Sequence, residues 1–366
     1  WPIAPDQNGV SLECMDPAAD NSVPANWRSF RGTSTQTTVG AYTYLNRGTP
    51  GKANSVSASG LPPFVDISQF KHSPKRPTSA DSITITAEVT SGETIASVTL
   101  YYEVFVAPYQ TAITALSVPM IDDGLHGDDL AGDGKYGAIL APLASQSLLR
   151  YKITATDGSG RSWTYPDVKE PNPNRAAFVY DGEEDTNLPA YFLILPQSTL
   201  DALNANIWTH TYYDATLVIE GKVYDHVGVH YRGRGWRVHP KKSFRIAFNK
   251  GEYFHDMSRL DLAMHFPVLQ KIVHDLFWTM GHGCLASEPV RLYTLKDGVF
   301  GLYGLMLAQE APNTSWLERH GYDDNGEVFK ASCAPSFGSC PSWGGTYIAD
   351  LDYYSDATLY PKMYEK

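Results

Sequence analysis

The clearest pattern in the chain lies at residues 82–89, where Ile83, Ile85, Ala87 and Val89 alternate with polar residues. A period of two puts the apolar set on one face of a strand. The same alternation returns at 96–106 and 149–156, with turn residues between and no helical period. Short strands at that spacing predict a β-sandwich over 61–180. Residues 1–60 are irregular, with strand candidates at 10–14 and 26–30, and Leu61-Pro62-Pro63 marks a linker.

A third unit begins at Leu188, after the acidic stretch 181–187. Residues 191–195 read as a buried strand, and 198–204 as a helix capped by Ser198. Strands are expected at 214–219 and 227–231, joined by a turn at Glu220-Gly221. In 243–248, Phe244, Ile246 and Phe248 share one strand face. Leu269, Ile272, Val273, Leu276 and Met280 fall at helical spacing, and Gly281 is placed to stop that helix. Asp297-Gly298 between apolar runs predicts a hairpin with a type I′ turn. A further helix is expected over 314–320, capped by Asn313 or Thr314, and a short strand over 327–330.

Composition narrows the function. The 366 residues are 43% hydrophobic, enough for sizeable cores, and no apolar run is long enough to cross a bilayer as a helix. The net charge of -11 argues against a general nucleic-acid binder. Four cysteines are too few for a disulfide scaffold. Cys333 and Cys340 are close enough in sequence to pair, whereas Cys14 and Cys284 read as small buried residues. The chain starts at Trp1 and shows no closing signal at Lys366, so it reads as a piece of a longer protein.

Two charged clusters stand out. Residues 122–138 hold Asp122, Asp123, Asp128, Asp129 and Asp133 interleaved with glycine. Oxygen ligands on a tightly bending backbone suit a hard cation such as Ca²⁺, with Asp122, Asp123, Asp128 and Asp133 as candidate ligands. A solvated acidic turn fits the same residues. The second cluster is basic: Arg232, Arg234, Arg237, Lys241, Lys242 and Arg245 lie within fourteen residues. By strand parity Lys242 points with Phe244 and Ile246, where an ammonium costs desolvation energy unless an anion meets it. Gly233 and Gly235 allow backbone N–H groups close to a phosphate. An edge strand guarded by lysines explains the cluster equally well.

The ordered strings also carry family resemblances. Trp1-Pro2, Gly9 to Glu13, Trp27 and Gly48 to Asn54 resemble the closing strands of a bacterial lamin-tail domain. The DDG-to-AGDG string resembles bacterial immunoglobulin-like modules. Tyr231-Arg232-Gly233, Lys241-Lys242-Ser243-Phe244, Arg291-Leu292-Tyr293, Asp297-Gly298, Gly301-Leu302-Tyr303, Glu310 and Val328-Phe329-Lys330 together resemble the CotH (spore-coat protein H) kinase family.

These resemblances imply a multidomain fold. A lamin-tail remnant at 1–60 and an all-β immunoglobulin-like sandwich at 61–180 precede an α+β protein-kinase-like domain, containing an N-lobe, at 188–366. That last domain is expected to be truncated at its C-terminus. They further imply an extracellular or surface bacterial protein that binds ATP with Mg²⁺ or Mn²⁺ and phosphorylates a protein or cell-surface substrate. Lys242 or Lys241 would be catalytic. Arg232, Gly233, Arg234, Glu310 and Lys330 would line the nucleotide site.

Departures are visible. Gly233-Arg234-Gly235-Trp236 stands where the family has small hydroxyl residues, and the following helix offers Asp275 but no Glu. Asp350 and Asp352 lie in a context that does not match the family's catalytic aspartates. A non-catalytic surface protein on a degenerate scaffold, or a polyanion-binding module, is the alternative. No G-x-S-x-G elbow supports a serine hydrolase.

Overall fold

The computed structural model describes residues 5, 9–39, 42–182, 187–233, 235–323, 330–331 and 364–365. Residues 333, 340, 350 and 352, and the side chains of Arg234 and Lys330, lie outside the described set, as does most of the strand expected at 327–330.

In the first unit β1 (Leu12–Cys14) pairs antiparallel with β2 (Trp27–Ser29), and β3 (Thr35–Val39) with β4 (Tyr42–Asn46). Two-stranded ribbons bury little by themselves. Polar anchoring substitutes: the buried Glu13 carboxylate accepts from Ser55 N at 2.8 Å, Ser55 Oγ at 2.5 Å and Thr49 Oγ1 at 2.6 Å. Cys14 and Cys284 are free and half-buried rather than core residues.

The second unit stacks two sheets. One contains β5 (Phe64–Ser73), β6 (Ile83–Thr90) and β9 (Lys135–Leu140). The other contains β7 (Ile95–Phe105), β8 (Thr114–Met120), β10 (Leu148–Asp157), β11 (Ser162–Tyr165) and β12 (Arg175–Phe178). Ile83, Ile85, Ala87 and Val89 meet Tyr151, Ile153 and Ala155 in one core, as their alternation requires.

The third unit overturns the expected fold class. In place of an α+β kinase-like domain with an N-lobe, it forms a closed seven-stranded barrel in a chain that is mostly β. Its strands are β13 (Ala190–Ile194), β14 (Tyr213–Ile219), β15 (Lys222–Arg232), β16 (Ser243–Ala247), β17 (Arg259–Ala263), β18 (Ser287–Lys296) and β19 (Val299–Glu310). Around the barrel the order is β13-β14-β15-β16-β17-β19-β18, and a parallel β13–β18 pairing closes it. The physical reason is that strands such as β16, which alternates strictly, and β13, which is apolar on both faces, supply a core that a ring of strands can enclose, and closure leaves no edge to cover.

Among the described residues three α-helices flank the barrel, and only the first sends a fully buried side chain, Leu203, into its core. They are α1 (Gln197–Ala205), α2 (Pro267–Thr279) and α3 (Thr314–Arg319). Pro196, not Ser198, precedes α1, and no side chain caps it. The apolar stripe read on α2 is real, yet none of its residues is buried, and Leu269, Ile272 and Leu276 are each more than half exposed. Asn313 caps α3 by accepting from Trp316 N at 3.2 Å. The Asp297-Gly298 turn has φ of 52° and 78°, as type I′ demands.

Strand β13 carries the junction between units. Tyr191 and Leu193 fill the barrel, while Phe192 and Ile194 face outward onto Phe105, Leu148 and Phe178 of the second unit. An ion pair reinforces this contact: Arg150 Nε and Nη2 each reach the buried Asp225 carboxylate at 2.8 Å. Burial pushes the Asp225 carboxyl up, but Arg150 and Thr216 outweigh it and hold it below the ordinary range.

Candidate functional site

The basic cluster occupies the connection between β15 and β16, on one rim of the barrel. Gly233 follows β15 with φ of 93°, a left-handed value open to glycine, and starts the loop. Arg237 folds inward and is almost fully buried. Its Nε donates to Gly233 O at 2.5 Å, and its Nη1 donates to Thr209 O at 3.0 Å and Ile207 O at 3.2 Å. A single guanidinium thus ties the loop to the segment after α1.

The two lysines lie just ahead of β16, which starts at Ser243. Lys241 Nζ donates to Leu305 O at 2.7 Å, beside Gly304. Lys242 Nζ donates to Arg237 O at 2.6 Å and lies 5.5 Å from the centre of the Tyr231 ring. Lys242 N donates to the Tyr303 hydroxyl at 2.5 Å. Both side chains are half-buried, and burial pulls both ammonium groups below the ordinary lysine range. An ammonium has three donors, so one carbonyl bond leaves capacity for an anion.

Arg232 and Arg245 are used differently. Register places Arg245 beside Asp261 on β17, and Arg232 on the neighbouring strand β15 reaches the same carboxylate. Arg245 binds it bidentately at 2.7 and 2.8 Å, and Arg232 Nε approaches at 3.2 Å. Asp261 is completely buried. Two cations and one buried anion leave a positive surplus there.

Glu310, expected beside the nucleotide, is buried at the far end of β19 and forms a structural knot. Its carboxylate accepts from Ala286 N at 2.7 Å and pairs with Arg319 and, at 3.2 Å, with His320. Lys330 begins a two-residue strand, Lys330–Ala331, paired with Tyr364–Glu365. The structure therefore gathers Lys241, Lys242, Arg232 and Gly233 around one rim.

Sequence reading missed Asp261, and it noted Tyr303 in a family string without its contact to Lys242 N. A signal for Asp261 existed: it interrupts the apolar run of β17 at the parity that faces Arg245.

The acidic loop closes on itself. Asp122 accepts from Gly132 N at 2.6 Å and Gly134 N at 3.0 Å, and Asp128 from Gly124 N at 2.6 Å and His126 N at 2.9 Å. Asp123 accepts from Leu125 N at 2.9 Å and contacts the His126 ring at 2.9 Å, and Asp133 accepts from Lys135 N at 2.9 Å. Gly137 of β9 makes room, since a Cβ there would collide with the His126 carbonyl. Among the described residues no three acidic, histidine or cysteine side chains are grouped to hold a metal.

Similarity to solved structures is low. BhCBM56, as its Br derivative, is 18% identical over 24% of this chain and 77% of its own, with a TM-score of 0.17. The sporulation control protein Spo0M from Bacillus subtilis is 10% identical over 55% of this chain and 73% of its own, with a TM-score of 0.19. A cycloalternan-degrading enzyme from Trueperella pyogenes is 8% identical over 66% of this chain and 30% of its own, with a TM-score of 0.23. Scores this low assign no fold. No curated protein matches the chain. The basic rim, from Tyr231 through Arg245, falls inside residues 229–360, the stretch that matches the family described as CotH kinase protein.

Proposed function

We propose that the barrel rim binds the phosphates of a nucleotide and belongs to a CotH-type phosphotransferase, secreted or surface-exposed and acting on a protein or cell-surface acceptor. The observation that carries this reading is the coincidence of the family match at 229–360 with two desolvated, incompletely satisfied lysines. Lys241 and Lys242 would supply donors to the β- and γ-phosphates, and the Arg232–Arg245 surplus would add a positive field. Electrostatic stabilisation of the transferring phosphoryl group is the chemistry such a rim can perform.

A nucleotide's phosphates fit these donors. A Mg²⁺ or Mn²⁺ ion does not fit the same rim, because its only fully buried carboxylate, Asp261, is already held by two arginines. When bound, the metal would neutralise phosphate charge, and its ligands would have to come from beyond this rim.

Titrating the chain calorimetrically with ATP and Mg²⁺ tests the reading. Binding should weaken at least about tenfold in Lys241→Ala/Lys242→Ala, the loss of one charge-assisted contact or more. An unchanged affinity in the double variant would overturn it.

A non-catalytic surface role is the second reading, favoured by Glu310. Its buried carboxylate is spent on Ala286, Arg319 and His320, a scaffold role instead of a nucleotide contact. Phosphate transfer to any acceptor by a longer form of the protein would exclude this alternative.

A further inference from the structure

Helix α2 rests on the barrel by its polar face. Its half-buried members are Pro267, Gln270, Lys271 and His274. His274 Nδ1 meets Ser287 Oγ of β18 at 2.8 Å, Gln270 Nε2 donates to His265 O, and Lys271 pairs with Asp275. The apolar stripe points away from the protein. Val268, Leu269, Ile272 and Leu276 are each more than half exposed, and Val273 and Phe277 more than two-fifths. A surface helix ordinarily turns such a stripe to the core and leaves its polar face in water. A contiguous apolar patch held outward marks an interaction surface.

The order of residues along the stripe selects the partner. Positions 268, 269, 272, 273, 276 and 277 are Val, Leu, Ile, Val, Leu and Phe, an apolar spacing that is the same read from either end. A twofold axis crossing between Ile272 and Val273 sets Leu269 of one copy against Leu276 of the other, Ile272 against Val273, and Val268 against Phe277. Such self-complementarity is what an isologous interface requires.

Charge follows the same symmetry. Lys271 and Asp275 lie along one flank of the stripe, and α2 carries no other Lys, Arg, Asp or Glu. Inverting the helix about that axis brings Lys271 of one copy alongside Asp275 of the other, so every charge meets its opposite. With Met280, the stripe exposes on the order of 700 Å² of apolar surface, close to the roughly 800 Å² that each partner buries in a standard interface. We infer that this stripe is the contact of a homodimer, in which the α2 helices of two copies pack antiparallel. The contact does not depend on the nucleotide reading of the rim.

Sedimentation equilibrium of the whole chain tests the inference. A monomer–dimer equilibrium is expected, and Ile272→Asp/Leu276→Asp should weaken it at least about tenfold. Both side chains are exposed, so a thermal midpoint near that of the parent confirms that the variant folds. Two further variants read the pairing itself. Lys271→Glu and Asp275→Lys should each associate more weakly than the parent, and mixing them should restore association, because each supplies the charge that the other lacks. A chain that stays monomeric at every concentration overturns the inference. Protection of 268–277 from hydrogen exchange in that monomer would assign the stripe to residues beyond Asp323 of the same chain, and binding to phosphatidylcholine vesicles would assign it to a lipid surface. Dimerisation that the aspartate variant leaves intact, or that mixing the charge variants fails to restore, overturns it as well.

Discussion

The acidic loop between β8 and β9 and the basic loop between β15 and β16 look alike as sequence. Each is a short glycine-containing stretch crowded with one sign of charge. In space they solve the crowding in opposite ways. Four of the five aspartates turn onto nearby backbone N–H groups and Asp129 pairs with Lys135, so the loop is a nest of side-chain-to-backbone turns with one ion pair. The basic loop has no local anion to use. Its lysines and Arg237 reach carbonyls, while Arg245 reaches Asp261 on the adjacent strand and Arg232 reaches it from two strands away. Backbone donors are available wherever a chain bends, whereas a carboxylate must be delivered by the fold. An acidic cluster can thus be satisfied locally, while a basic one keeps a positive surplus for a ligand.

The largest effect expected from this difference is at Asp261. In Asp261→Asn the two guanidiniums lose the charge partner they share inside the barrel wall. Breaking such a pair costs about 3 kcal/mol, the lower end of the usual range, because both arginines keep some contact with water. Urea unfolding should show that loss, and a change under about 1 kcal/mol would mean that Asp261 is not what holds the basic loop.

Asp128→Ala comes next. It strips the acceptor from Gly124 N and His126 N under a side chain that is nearly fully buried. Two unsatisfied donors make a loss of about 2 kcal/mol the expectation. Thermal unfolding of the variant measures it. A loss equal to that of Asp261→Asn would erase the contrast between local and tertiary satisfaction.

pH separates the loops without mutation. The His126 ring and Leu125 N hold the Asp123 carboxyl below its ordinary 3.8. Burial pushes Asp128 up, but the N–H groups of Gly124 and His126 outweigh it, and its carboxyl also falls below 3.8. A depressed folded value means that stability is present above pH 3.8 and is lost as pH drops through the folded value. The lysines behave in the opposite sense. Their folded values lie below 10.5, so stability rises as pH climbs from the folded value toward 10.5. Urea midpoints followed across pH should show the acid-side loss in the parent and in Lys241→Ala/Lys242→Ala alike. The alkaline rise should shrink only in the double variant.

Legibility followed the same division. Strands were readable wherever alternation was strict: residues 82–89 became β6, and the Asp297-Gly298 hairpin joins β18 to β19. What could not be read was closure. The parallel pairing of β13 with β18 joins residues about a hundred positions apart, and no local pattern encodes it. The helical period of α2 was real, but the α+β fold class came from the family resemblance, and the helix rests on the outside with its stripe exposed. At the rim, the cluster was visible from charge spacing alone. Which cations were already spent depended on Asp261, brought in by the register of β16 and β17.

The smallest expected effect is at Asp133. Its exposed carboxylate holds only Lys135 N, at 2.9 Å. Asp133→Ala loses that one solvent-exposed bond but also removes one of five crowded negative charges. These contributions oppose each other, so the net change should stay within about 0.5 kcal/mol. Asp133→Asn keeps the acceptor and removes the charge, which makes it the sharper probe. If hydrogen bonds hold the loop, its urea midpoint matches the parent. If repulsion dominates, the variant is measurably more stable at low salt, and the gain fades as salt screens the remaining aspartates. The second result would show that local hydrogen bonds do not fully compensate the acidic loop, and the two clusters would then differ in degree only.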